Sequence, residues 1–174
     1  PEVFHRLLPD DDCHAFTLIE LIVVISLIGT MLFFAIPRLD RSFLSDDSRR
    51  VSQWILLNVR ALKSRAVQNQ AELALFVDLD RNRMFTGPAG LNEEELAEAA
   101  EKGFSLPEGH RLLDVMFPNG QRRADGIAKV RFYPKGYSDR VILHLENDDF
   151  QRISYTIEIF LQDVDIQETY AEFG

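Results

Sequence analysis

Residues 16–36 read FTLIELIVVISLIGTMLFFAI, an almost uninterrupted apolar stretch with one ionisable side chain, Glu20. At a rise of about 1.5 Å per residue, a helix of this length spans roughly 30 Å, which matches the hydrocarbon thickness of a bilayer. A helix buried in a soluble core would carry polar residues along at least one face. Here the only polar interruptions are Thr17, Glu20, Ser26 and Thr30. The stretch therefore predicts a transmembrane helix over 16–36.

The residues before this stretch distinguish it from a secretory signal. A cleaved signal peptide has an apolar region of about 7 to 15 residues that ends at small residues such as A-x-A. In this chain the small residue, Ala15, precedes the apolar run, so cleavage after it removes a hydrophilic leader, residues 1–15, and leaves the helix in place. The string A/FTLIELIVVISLIG closely resembles the processing site and helix of type IV pilins and pseudopilins.

The resemblance implies specific processing and a role for Glu20. In that family a prepilin peptidase cuts before the Phe and methylates the new amine, which implies cleavage between Ala15 and Phe16 and N-methylation of Phe16. A carboxylate at the centre of a membrane helix costs about 2.5–3.5 kcal/mol, so such residues are usually paired or functional. Glu20 lies four residues from the Phe16 amine on the same helix face. The resemblance implies that the two pair, within one subunit or between neighbours in a filament. The alternative is that Glu20 only extends to the bilayer surface.

Composition narrows the class of protein. The 174-residue chain has a formal net charge of −9, and removal of the acidic leader leaves −6. An acidic surface argues against nucleic-acid binding, which requires clustered Lys and Arg. Cys13, the only cysteine, lies in the leader, so the mature domain forms no intramolecular disulfide. Many major type IV pilins close a C-terminal loop with a Cys pair, and its absence favours a pseudopilin or minor pilin.

Residues 37–70 are predicted to continue the helix in amphipathic form. The family has a Pro at the position of Pro37, so we expect a bend within the helix; a helix stop with a loop at 38–48 is the alternative. From residue 44 onward apolar side chains recur at helical spacing, as in a helix that packs on a domain. The predicted stripe is Leu44, Val51, Ile55, Leu62 and Ala66, with Trp54, Leu57 and Val59 beside it and Arg49, Arg50, Gln53, Arg60, Lys63 and Arg65 on the polar side. With the membrane stretch it predicts a nearly continuous helix of about 55 residues, roughly 80 Å long.

Residues 71–174 predict a β-rich domain. Alternating runs at 72–77, 111–117, 127–134, 140–146, 151–161 and, more weakly, 163–167 read as strands separated by turn signals. They follow one another without long helices between them, so the sheets should be mainly antiparallel. The predicted fold class is α+β: a long N-terminal α-helix, membrane-spanning in its first half, packed on a mainly antiparallel pilin-like domain.

Two further segments extend the resemblance. Residues 59–85, VRALKSRAVQNQAELALFVDLDRNRMF, resemble the helix end and first hairpin of H-type minor pseudopilins and the related FimT-like minor pilins. Residues 132–136, FYPKG, followed by an alternating strand, resemble the F-x-P-x-G turn of the same H-type family. The resemblance therefore extends beyond the N-terminal motif.

An acidic insertion at 87–110 separates two of the predicted strands. Asn92 can cap a short helix, Glu95 completes a capping box and Gly103 can end the helix. We expect this insertion to project from the domain surface into solvent. The alternative is that it forms a contact site for a partner.

The sequence offers little support for catalysis. The turn at 78–82 has the D-x-D-x-N spacing of a calcium loop, but Arg83 stands where that loop needs Gly and Ala89 where it needs Glu. His110 and His144 are the only histidines outside the leader, and neither has metal-ligand spacing. We therefore predict no enzyme activity, no cofactor, no metal and no small-molecule substrate. A signal-anchored periplasmic enzyme is the alternative from a different class.

Taken together, the resemblance implies a minor pseudopilin of the type II secretion system, closest to the H type. It implies a single-pass protein of the inner membrane with its globular domain in the periplasm. Its expected partners are other pseudopilins, major and minor, in a filament that drives export of folded proteins, together with the prepilin peptidase. The alternative is a FimT-like minor pilin of a type IV pilus, acting in adhesion, motility or DNA uptake.

Overall fold

The computed structural model describes residues 18–40 and 46–173, with side-chain environments for 18–31 and 46–173. The chain divides into two units, Pro1–Phe43 and Leu44–Gly174, which are described separately. The predicted leader, residues 1–15, and the Ala15–Phe16 cleavage site lie outside the described residues.

The first unit contains helix α1, Leu18–Asp40. Pro37 lies within this helix, so the prediction that the helix continues past it is confirmed, and a stop directly after Pro37 is wrong. Thr30 Oγ1 donates to the carbonyl of Ser26 at 2.8 Å, which satisfies this hydroxyl inside the helix. The predicted continuity with the next helix falls on residues 41–45, outside the described residues. Over the part of the chain that is described, no helix has both the length and the apolar character needed to cross a membrane.

The second unit begins with helix α2, Asp46–Asn69, which buries one face. The buried stripe is Val51, Ile55, Val59, Leu62 and Ala66. Leu44, which was predicted to begin the stripe, lies outside the described residues. Two sequence assignments on this helix were wrong. Leu57, predicted beside the stripe, is 64% exposed, whereas Lys63, assigned to the polar side, is only 4% exposed. Lys63 lies four residues after Val59, so helical geometry places it on the buried face whatever its polarity.

Two antiparallel sheets complete this unit. One has the strand order β3-β2-β1-β6 and the other the order β5-β4-β7-β8-β9. The strands of the first sheet are β1 (Leu73–Asp78), β2 (Arg83–Pro88), β3 (Phe104–Ser105) and β6 (Ile127–Phe132). Those of the second are β4 (Arg111–Met116), β5 (Arg122–Arg123), β7 (Val141–Glu146), β8 (Arg152–Ile157) and β9 (Val164–Gln167). Every strand pair is antiparallel, so the predicted α+β class is confirmed.

Strand β8 is shorter than the predicted run at 151–161. It ends at Ile157, and the following apolar residues Phe160 and Leu161 are exposed in the connection to β9. The carbonyls of Glu158 and Leu161 accept hydrogen bonds from Lys63 Nζ on α2 instead of extending the β ladder. Ser138 also donates to the carbonyls of Glu158 and Ile159, so the carbonyls of this segment are satisfied outside the β8–β9 ladder.

The main core fills the space beneath α2 and between the sheets. Its largest fully buried side chains include Ile55, Leu75, Phe132, Leu143 and Tyr155. Tyr155 brings a hydroxyl into this core, and this hydroxyl lies 2.8 Å from Ser52 Oγ on α2. Burial raises the pKa of this phenol, although the Ser52 hydrogen bond opposes the shift.

A third helix, α3 (Glu93–Glu101), covers the opposite face of strand β1. Side chains alternate across a strand, so Leu75 and Val77 join the main core while Ala74 and Phe76 form a second cluster with Phe85 and Ala100. The capping box predicted at Asn92 and Glu95 is confirmed, and the helix ends before Gly103. The acidic insertion is therefore a surface helix that also closes one face of the first sheet.

Candidate assembly site

Residues 18–31 of α1 present an apolar surface. Every side chain from residue 18 to residue 31 is exposed. The large apolar residues there, from Leu18 to Met31, are between 45% and 79% exposed. A contiguous apolar surface of this size marks a site of contact with other proteins or with lipid.

Glu20 lies in the first described turn of this helix and is exposed. Its neighbours one turn along the helix are Val23 and Val24, so the carboxylate lies among apolar side chains. Its predicted partner, the amine of Phe16, lies outside the described residues. The structure thus places Glu20 on the apolar surface of α1, and its pairing stays a prediction.

The globular unit contains a Ser–His–Asp arrangement that sequence reasoning missed. Ser48 Oγ lies 2.7 Å from His110 Nε2, and His110 Nδ1 lies 3.4 Å from Asp148 Oδ1. The atoms follow the order of a hydrolytic triad. Ser48, however, is 1% exposed, and His110 is also buried, so the hydroxyl is too enclosed to meet a substrate in this conformation. Through the Ser48–His110 hydrogen bond, the arrangement links the start of α2 to the connection before β4.

Gly109 permits the close approach of Asp148 in this arrangement. Its φ is +78°, in the left-handed region that favours glycine. A Cβ at this position would lie 1.8 Å from Asp148 Oδ1. No local spacing reveals the contact between Ser48 and His110, because 62 residues separate them in the sequence.

A second buried polar cluster surrounds Asp114 on β4. His144 Nδ1 lies 2.7 Å from Asp114 Oδ1, and Arg122 donates to Asp114 Oδ2 at 2.7 Å. The Tyr170 ring stacks on His144 with 3.8 Å between centroids, and its hydroxyl donates to the same carboxylate at 3.3 Å. Burial by itself raises the pKa of Asp114, but hydrogen bonds and positive charge from His144 and Arg122 outweigh it and hold the pKa below its ordinary value.

This cluster holds the C-terminal segment against the second sheet. His144 Nε2 lies 2.8 Å from the carbonyl of Ala171, and the amide of Ala171 donates to Ser154 Oγ at 2.9 Å. His144, which sequence alternation predicted as packed or exposed within a strand, is therefore fully buried and binds the chain end.

The D-x-D-x-N turn uses its oxygens for internal hydrogen bonds. Asp78 Oδ1 accepts from the amide of Arg81 at 3.0 Å, and Asp80 Oδ1 accepts from the amide of Gly126 at 3.2 Å. Asn82 Oδ1 accepts from the amide of Leu112 at 2.8 Å. Among the residues that the structure describes, no group of three His, Cys, Asp or Glu side chains is placed to hold a metal.

A cleft of about 1100 Å³ lies between the β5 and β6 edges of the two sheets. Cations dominate its charged lining: Arg122, Arg123, Lys129, Arg131 and Arg140, beside Asp139. Tyr133 and Tyr137 stack in the same wall with 4.5 Å between ring centroids. The sequence did not predict this cleft, because the two edges come together only in the folded domain.

Different comparisons with known proteins match the N-terminus and the fold of the chain. Residues 11–36 match the family described as the prokaryotic N-terminal methylation motif. No curated protein sequence matches the chain significantly.

Two solved structures resemble the fold. One is the minor pseudopilin EpsH from the type 2 secretion system of Vibrio cholerae, at 12% sequence identity and a TM-score of 0.51, over 73% of this chain and 99% of that chain. A second crystal structure of that pseudopilin matches at 12% identity and a TM-score of 0.50, over 75% of this chain and 100% of that chain. The chain thus combines a prokaryotic N-terminal methylation motif with an α+β domain that has the fold of a type II secretion minor pseudopilin.

Proposed function

We propose that this chain is a minor pseudopilin of the type II secretion system, a subunit of a periplasmic pseudopilus that drives export of folded proteins across the outer membrane. The observation that carries the proposal is the presence on one chain of the methylation motif at 11–36 and the EpsH-like fold. Neither feature alone supports the proposal as strongly, because the motif covers only the N-terminus and the fold match is at low sequence identity.

The proposal includes processing and anchoring at the N-terminus. A prepilin peptidase cleaves between Ala15 and Phe16 and methylates the amine of Phe16. The helix at 16–36 then anchors the chain in the inner membrane, with the globular domain in the periplasm. The exposed apolar side chains of residues 18–31 support this part of the proposal, since such a surface is stable only when lipid or other helices cover it.

Assembly follows from the same helix. Other pseudopilins, major and minor, pack against the apolar surface of α1, and Glu20 pairs with the Phe16 amine of its own or a neighbouring subunit. The proposed role is structural, without enzyme activity, cofactor or small-molecule substrate. The enclosure of Ser48 supports a structural role for the one triad-like arrangement described above.

A deletion strain tests the function. Extracellular exoprotein, surface motility and DNA uptake are measured with the gene deleted, and again with the wild-type gene restored. We expect secretion to be lost on deletion and recovered on restoration while motility is unchanged, because a pseudopilus serves export rather than movement.

Two other outcomes contradict the proposal. Intact secretion with lost motility or DNA uptake would assign the chain to a type IV pilus as a FimT-like minor pilin. Intact secretion, motility and DNA uptake together would remove both filament roles.

A further inference from the structure

The cleft between β5 and β6 carries positive charge on a chain whose formal net charge is −9. Two of its cations are already matched by carboxylates: Arg122 binds Asp114, and Arg140 binds Glu158 at 2.8 Å. Arg123 and Lys129 instead donate to neutral backbone carbonyls, of Ile127 at 2.7 Å and Ala89 at 3.0 Å. Within the described residues, neither has a carboxylate at salt-bridge distance, so their charge is available to an acidic ligand.

Strand β6 is an edge strand of its sheet and lines this cleft. The amide and carbonyl of Arg131 bond to Asp139, on the side away from β1. Because backbone groups alternate in direction along an antiparallel strand, those of Lys129 also point away from β1. Among the described residues, none bonds to the Lys129 backbone on that side. One amide and one carbonyl are therefore positioned to pair with an incoming strand.

We propose that this cleft binds an extended acidic segment of a partner protein. The segment adds to the free edge of β6 at Lys129, while its carboxylates contact Arg123 and the Lys129 ammonium. Its remaining side chains pack against the stacked Tyr133 and Tyr137. Strand addition of this kind draws affinity from backbone hydrogen bonds and specificity from side chains along the groove. The open part of this edge is centred on Lys129, because the backbone of Arg131 bonds to Asp139 and the carbonyl of Ile127 accepts from Arg123.

Charge favours a peptide over nucleic acid. Asp114, Asp139 and Glu158 lie beside the five cations and offset most of their charge. A peptide with a few carboxylates matches the small remaining surplus. A nucleic acid carries a charge at every phosphate and would extend over the acidic surface of the chain, which repels it. This binding surface exists whether or not the chain enters a pseudopilus.

Fluorescence anisotropy tests the proposal on the full chain in detergent micelles. The probes are labelled peptides EVEVEVEV and QVQVQVQV, an EVEVEVEV peptide with methylated backbone nitrogens, and single-stranded oligo-dT. We expect EVEVEVEV to bind most tightly, since it alone supplies both carboxylates and a complete set of backbone donors. The cleft variant is Arg123→Glu with Lys129→Glu, which should weaken EVEVEVEV binding about tenfold.

The matched control is Arg49→Glu with Arg65→Glu, which makes the same charge change on exposed positions of α2. It should leave the affinity for EVEVEVEV within about twofold of wild type.

Equal weakening in both variants, or no binding of EVEVEVEV to the wild-type chain, would overturn the proposal. Tighter binding of oligo-dT that is lost in the cleft variant would assign the cleft to nucleic acid. Unchanged affinity for the methylated peptide would overturn the strand-addition geometry. If the cleft variant fails to fold by circular dichroism, the milder Arg123→Gln with Lys129→Gln decides the result.

Discussion

Asp114 shows how a single buried carboxylate organises part of this domain. Its side chain is fully buried, and His144, Arg122 and Tyr170 all direct polar groups at it. Burial raises the pKa of Asp114, but its hydrogen bonds with His144 and Arg122 outweigh burial and hold this pKa below its ordinary value. A carboxyl group with a lowered folded-state pKa stabilises the fold fully above its unfolded pKa, about 3.9, and this contribution is lost as the pH falls through the folded pKa.

We therefore expect Asp114→Asn to lower the free energy of unfolding at pH 7 by about 2 kcal/mol, since it weakens charge-assisted hydrogen bonds to buried partners. The variant should also lose less stability than wild type between about pH 5 and pH 2, because the titrating group is gone. Urea unfolding of the full chain in detergent, followed by near-UV circular dichroism across this pH range, measures both effects.

Asp149→Asn provides the matched control for Asp114→Asn. Asp149 lies exposed in the turn before β8, so its substitution should leave stability at pH 7 within about 0.5 kcal/mol of wild type. If Asp114→Asn retains the wild-type acid dependence, the pH-linked role assigned to Asp114 is wrong.

At the scale of elements, Lys63 joins helix α2 to the connection between β8 and β9. Its Nζ donates to the carbonyls of Glu158 and Leu161, and burial lowers the pKa of this ammonium while Glu158 opposes the shift. Lys63→Met keeps a side chain of similar length but removes both hydrogen bonds. We expect a loss of about 1–2 kcal/mol in stability and faster amide hydrogen exchange across residues 158–162.

Arg60→Met is the control for this prediction. Arg60 pairs with Asp163 in the same connection, but both side chains are more than half exposed, and exposed pairs contribute about 0–1 kcal/mol. Exchange across 158–162 that rises equally in the two variants would show that the buried ammonium has no special role.

The elements differ in how far sequence alone could predict them. Local patterns predicted the α2 stripe, the long strands and the Asn92–Glu95 capping box, because periodicity and caps involve residues close in sequence. Strands β3 and β5 have two residues each, too few to show alternation. Lys63 was misassigned because its charge indicated the polar side, although its spacing from Val59 places it on the buried face. The carbonyls that accept from it lie almost a hundred residues away and give no local signal.

The candidate sites also differ in how far sequence alone could predict them. Ala15, Phe16 and Glu20 lie within one short stretch, so the sequence alone shows the motif, and the methylation-motif match includes all three positions. The roles of the three residues stay predictions. The Ser48–His110 and Asp114–His144 contacts join residues 62 and 30 positions apart, and the β5–β6 cleft joins the edges of two sheets. Such sites depend on strand order, which turn and strand signals do not specify.

At the scale of the whole molecule, the two units differ in how far their large apolar side chains are exposed. The unit Leu44–Gly174 buries its large apolar side chains in its own core, with few exceptions such as Leu57 and Phe160. In α1, the large apolar side chains of residues 18–31 are all exposed. The globular unit therefore has a hydrophobic core of its own, whereas the exposed apolar side chains of residues 18–31 favour contact with lipid or with other apolar protein surfaces. Within that surface a carboxylate is costly unless it has a partner, which makes Glu20 the position where assembly should be most sensitive.

We predict that Glu20→Ala leaves membrane insertion intact and reduces crosslinking to other pseudopilins about tenfold, since it removes one partner of a proposed charge pair in an apolar contact. The full precursor is expressed in cells with the prepilin peptidase and the other pseudopilins, and crosslinked species are quantified against total protein. Intact mass reports processing: each variant compared should lack residues 1–15 and carry one added methyl group. Restricting the comparison to processed chains separates assembly from cleavage.

Ser26→Ala is the control, because it removes another polar side chain from the same exposed helix without changing its charge. It should leave crosslinking near the wild-type level. Equal crosslinking in the Glu20 and Ser26 variants would mean that the carboxylate extends to the bilayer surface and takes no part in subunit contacts. A selective loss in Glu20→Ala would instead assign the contact to this carboxylate, because both variants present almost the same apolar surface and differ in the charge available to a neighbouring amine.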